Sequence, residues 1–165
     1  MRDLGQLISN YHNKGILIDT NILLMYFIGS YNKSLITSFK RTNKYVPEDY
    51  ELLAHFIKLF TKIITTPNIL TEVSNFLGNL ENKIKAHCFS EFARQLEFLD
   101  EHYTPGKVIG KLDQFTKYGL TDSGIIHSVK GKHLVLSDEF ALVNYLQSKD
   151  VAAINFNHLR ILNWQ

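Results

Sequence analysis

The chain has 165 residues, 45% of them hydrophobic and 12% aromatic, which is the size and composition of one domain around one core, and its 18 Lys and Arg against 16 Asp and Glu leave a formal charge of +2. So even a balance excludes the strong basic excess that would by itself announce nucleic-acid binding. Cys88 has no second thiol to pair with, the opening MRDLGQLISNYHNKG lacks the apolar stretch of a signal peptide, and no run approaches the length of a membrane span, so the expectation is a soluble cytoplasmic protein with no membrane partner.

Short apolar runs alternate with longer segments of helical periodicity, the signature of an α/β domain with a mainly parallel sheet, here one domain over residues 1–165. Ile16-Leu17-Ile18 reads as the first strand, Asp19-Thr20-Asn21 as a polar corner, and Ile22 to Ile28 as an apolar helix. From Ser34 to Phe60 the pattern is helical and partly basic. Lys62-Ile63-Ile64-Thr65 offers a second strand, and Thr66-Pro67, an N-cap followed by a residue suited to the first helical position, starts a helix over Asn68 to Leu80. Its inward stripe is Ile69, Val73, Phe76 and Leu80, with Glu72 beside it.

Lys83 to Tyr103 reads as a further amphipathic helix, and Lys107 to Lys117 is ambiguous between a short strand and a loop. Thr121 resembles an N-cap before Asp122. Leu134-Val135-Leu136 is a buried strand ending in Ser137-Asp138, Glu139 to Gln147 a helix, and Val151 to Ile154 a last strand before a short helical or irregular tail.

In an open parallel sheet, ligands bind at the carboxyl ends of the strands near the switch point, where acids directly following strands converge. Asp19 and Asp138 meet that condition. Asp122 at a helix start and Glu72 about one turn into its helix share the crevice if their helices begin at that end of the sheet. Two like charges about 4 Å apart repel by roughly 4 kcal/mol at an effective dielectric of about 20, a conflict that a divalent cation removes. Oxygen-only donors suit magnesium or manganese, and the lack of a Cys and His set argues against zinc. Such a cation lowers the pKa of water and polarises a phosphodiester, which is the equipment of phosphodiester hydrolysis.

Four segments then resemble the motifs of the PIN-domain family of metal-dependent ribonucleases, in the family's order: Ile16-Leu17-Ile18-Asp19-Thr20-Asn21, Thr65-Thr66-Pro67 leading to Glu72, Leu120-Thr121-Asp122, and Val135-Leu136-Ser137-Asp138. The resemblance covers roughly Gly15 to Asn155. It implies a Rossmann-like three-layer fold and a magnesium- or manganese-dependent endoribonuclease, with Asp19, Glu72 and Asp122 as principal metal ligands and Asp138 as a supporting acid. Thr20, Asn21 and Ser137 would be hydrogen-bonding groups that orient carboxylates or water. It also implies, for a toxin of a toxin–antitoxin pair, an antitoxin partner over the acidic pocket, and pairing as a homodimer. The segment from Tyr31 to Lys62 is longer than the compact toxin members carry.

Plainer readings compete. An Asp in a strand-to-helix corner often serves only as an N-cap. Lys33, Lys40, Arg41 and Lys44, with Tyr31, Phe39 and Tyr45 among them, read either as an RNA-binding face or, more simply, as a solvated helix face. His127 reads as structural or exposed. A phosphatase would want a second Asp where Asn21 stands, and a non-catalytic module that docks RNA or protein would leave the acids without work.

Overall fold

The computed structural model describes residues Asp3 to Asn163. After a first helix, α1 (Leu4–Tyr11), strand β1 (Ile16–Ile18) runs into α2 (Thr20–Tyr31). The connection to β2 (Ile63–Thr65) carries α3 (Leu35–Ser38) and α4 (Pro47–Ile57). Then follow α5 (Pro67–Leu77), α6 (Asn82–Leu96), β3 (Leu99–Glu101), α7 (Gly106–Ile109) and α8 (Phe115–Val129). The chain closes with β4 (Leu134–Ser137), α9 (Phe140–Ser148), β5 (Ala153–Asn155) and α10 (Phe156–Asn163).

The five strands form one all-parallel sheet in the order β3-β2-β1-β4-β5, flanked by helices in the expected Rossmann-like α/β arrangement. The chain winds outward from β1 through β2 to β3, then returns to the other side of β1 for β4. The switch point therefore lies between β1 and β4, the position at whose carboxyl ends open parallel sheets bind ligands. β1 and β4 are buried on both faces, which is why both read as unbroken apolar runs. Register is continuous into the corner: the Asp19 N–H donates to the Leu136 carbonyl at 3.0 Å.

Helix α5 starts as its sequence predicts, with the Thr66 hydroxyl accepting the Ile69 N–H and Pro67 at the first position. Ile69, Val73 and Leu77 are its buried stripe; Phe76 is half-buried, and Leu80 lies past the helix end.

Three expectations need correction. The helix expected over Lys83 to Tyr103 ends at Leu96, and Leu99–Glu101 is the edge strand β3. Its Asp100 and Glu101 are exposed, so it has no apolar alternation to read and exists because β2 offers a free ladder beside it. The stretch Lys107 to Lys117 is neither strand nor simple loop: it contains the short helix α7 and the start of α8. Thr121 is not the N-cap of a new helix but lies in the first turn of one that starts after Gly119. α8 is two helical segments joined at a break at Gly119, whose φ of 75° and ψ of −168° suit glycine alone. Among the described residues, no helix is long and apolar enough to cross a membrane.

Candidate active site

Asp19 leaves β1 as the N-cap residue of α2 and is only 5% exposed. Its Oδ1 accepts the Thr20 N–H at 2.7 Å, so the plain capping reading is correct as far as it goes. Its Oδ2 accepts the Ser137 hydroxyl at 2.6 Å from the end of β4. Two donors do not offset the loss of water: burial pushes the carboxyl up to about 6, with the charges of Glu139 and Asp138 adding to the rise.

Glu72, on α5, is half-buried and held at both oxygens. Thr20 Oγ1 donates to Oε2 at 2.9 Å, and Thr121 Oγ1 donates to Oε1 at 2.6 Å. Thr20 lies next to Asp19 and Thr121 next to Asp122, so two hydroxyls tie the three acidic corners of β1, α5 and α8 together. Asp122 is half-buried, and its carboxyl is pushed up to about 7 by burial first, then by Asp19, Glu139 and Glu72. Thus Asp19, Glu72 and Asp122, with Asp19 and Asp122 more than 100 positions apart in the chain, lie in one electrostatic neighbourhood.

Asp138, after β4, does not act as an N-cap: Glu139 holds that position in α9, and Ser137 Oγ accepts the Glu139 N–H at 3.1 Å. The Asp138 carboxylate turns toward the connection between α3 and α4. Tyr45 donates its hydroxyl to Oδ2 at 2.6 Å, Lys44 forms an ion pair with the same oxygen, and Asn21 Nδ2 lies 3.4 Å from Oδ1. Burial works against the Asp138 charge, but Lys44 and Tyr45 outweigh it and hold the carboxyl below its ordinary range.

No family model matches the chain, and no curated protein matches it.

The acids are grouped but not drawn tight. Among the described residues, no three Asp, Glu, His or Cys side chains already stand at the spacing that would hold an ion. The donor set itself, oxygens from Asp19, Glu72 and Asp122 with no sulfur or imidazole among them, suits a hard cation such as magnesium or manganese.

Some functional candidates escaped the sequence reading. Glu139 is exposed and raises the carboxyls of both Asp19 and Asp122, which makes it a fourth charge on that side. The Asp138-Glu139 doublet after a buried strand was the available signal. Tyr45 is fully buried with its hydroxyl on Asp138, so it cannot stack on bases. Phe39 is half-buried, Tyr31 is stacked on His87 at 5.3 Å, and the Arg41 guanidinium lies 4.1 Å from the centre of the Phe76 ring. The basic segment is thus largely engaged with the protein itself, while His127 is exposed and Cys88 packed in the core.

Proposed function

We propose that the chain is a metal-dependent nuclease of the PIN type acting on RNA, with magnesium or manganese held by Asp19, Glu72 and Asp122. The observation that carries this reading is the pair Asp19 and Asp122. They sit with Glu72 at the carboxyl ends of a parallel sheet, tied to it through the Thr20 and Thr121 hydroxyls, and burial raises both carboxyls, to about 6 and about 7. Acids kept this close to neutral pH form a site that releases protons and gains stability when a cation enters.

Such a cation supplies positive charge to polarise a phosphodiester and lowers the pKa of water. The chain's own groups do the positioning. Ser137 and the Thr20 N–H fix the Asp19 carboxylate, and the Thr20 and Thr121 hydroxyls fix both oxygens of Glu72. In-line hydrolysis with departure of the 3′ oxygen leaves a 5′-phosphate end.

The test is cleavage of labelled single-stranded and structured RNA by wild type and Asp19→Asn, each with magnesium, manganese or EDTA. Cleavage by wild type falls by about 10³-fold or more in folded Asp19→Asn and disappears in EDTA. Equal cleavage by a folded, nuclease-free mutant sinks the assignment. Silence on all RNAs together with no calorimetric binding of manganese turns the reading to a non-catalytic module. A toxin role, an antitoxin over the pocket and a homodimer are parts of the same proposal that rest on the resemblance alone.

A further inference from the structure

Asp138 is the strand-end acid whose charge is already answered. Its side chain is 3% exposed, whereas that of Lys44, paired with it, is 50% exposed, so the ammonium stands between the carboxylate and solvent. The Tyr45 hydroxyl takes the same oxygen, and the Asn21 amide lies near the other.

The arm that delivers Lys44 is anchored. Tyr45 is fully buried and meets Phe156 edge-on at 6.1 Å between ring centres. Arg160 donates to the Lys44 carbonyl at 3.2 Å and pairs with Asp49 at 2.8 Å, and Asp49 in turn accepts the Val46 N–H at 2.9 Å. These contacts tie residues 44–49 to α10, so Lys44 is placed by the tertiary structure rather than by chance contact of a surface lysine. A lysine is a compact point charge with three donors and no acceptor, and a carboxylate that already carries such a charge and two neutral neighbours has little left to offer a divalent ion.

We propose that Lys44 supplies the fixed positive charge on the Asp138 side of the crevice, in the place a second divalent ion would take, so that the pocket binds one ion, on the Asp19–Asp122 side. This rests on the metal-nuclease reading above and specifies its stoichiometry. The Tyr31 to Lys62 connection is then part of the active site, because its Lys44 does the work of an ion.

Manganese titrated into the purified full chain at neutral pH, with bound ions counted by calorimetry and free ions by electron paramagnetic resonance, tests it. Wild type and Lys44→Arg bind one manganese per chain. Lys44→Gln, which leaves Asp138 without its cation, binds two, and Lys44→Gln/Asp138→Asn returns to one. Two ions in wild type, one in folded Lys44→Gln, or two in the double variant overturns the proposal and leaves the metal nuclease standing. No manganese bound by any of them overturns both. Should Lys44→Gln not fold, the wild-type count decides alone.

Discussion

Asp19 and Asp138 follow neighbouring parallel strands at the same end of one sheet, yet the protein treats them oppositely. Around Asp19 the neighbours are hydroxyls, a backbone N–H and other acids, and burial drives its carboxyl up to about 6. Around Asp138 burial also opposes the charge, but an ammonium and a phenol reach it from the connection between β1 and β2 and keep it charged. The difference lies in what answers each charge: the Asp19 side is left short of positive charge, and the Asp138 side is neutralised by Lys44.

The largest effect expected on this contrast comes from the anchor of the Asp138 side. Asp49 has a side chain with 0% exposure and Arg160 as its charged partner. Arg160→Met leaves a buried carboxylate uncompensated and costs about 3 kcal/mol in urea unfolding. Arg160→Met/Asp49→Leu recovers most of it. A loss under about 1 kcal/mol from the single change means the arm is held by apolar packing alone.

On the opposite side, Thr121→Val keeps shape and removes one donor from Glu72. Manganese affinity and cleavage fall together by about 10- to 100-fold, with thermal stability nearly unchanged. An unaltered affinity would show that Glu72 needs no orientation, and Thr20→Val provides the parallel case.

The smallest expected effect is a matter of pH. The Asp122 carboxyl is raised to about 7 in the folded chain, so the native state holds its proton more tightly than the unfolded state does. Between the ordinary carboxylate value and about 7, native chains carry the extra proton, so this group's contribution to stability is lost as pH rises. In EDTA, Asp122→Asn therefore stabilises the protein by on the order of 1 to 2 kcal/mol at pH 8, after discounting for partial exposure, and the gain fades toward pH 4. A gain that persists undiminished at pH 4 would mean the substitution acts through packing rather than charge.

What the sequence alone makes legible is whatever is local along the chain. Ile16–Ile18 and Leu134–Leu136 are apolar and buried on both faces, and the acid follows the first directly and the second one residue later, after Ser137, so strand and site residue were legible together. Thr66 and Pro67 announced α5 by the same logic of adjacent chemistry. Thr121 misled because its residue type fits a cap, while the break is made two residues earlier by Gly119 and frees the hydroxyl for Glu72. Leu99–Glu101 gave no signal, since an exposed edge strand takes its conformation from its neighbour's ladder.

The sequence by itself determined the alternation of strands and helices, the α/β class and the placing of acids at strand ends and early in helices, because burial and capping act over a few residues. Only the tertiary structure decided which groups answer those acids. Tyr45 and Asp138 are 93 positions apart, Thr20 and Glu72 are 52 apart, and no periodicity links them. Charge acts through space, so how the strand-end acids divide between two electrostatic environments was settled only when the chain closed on itself.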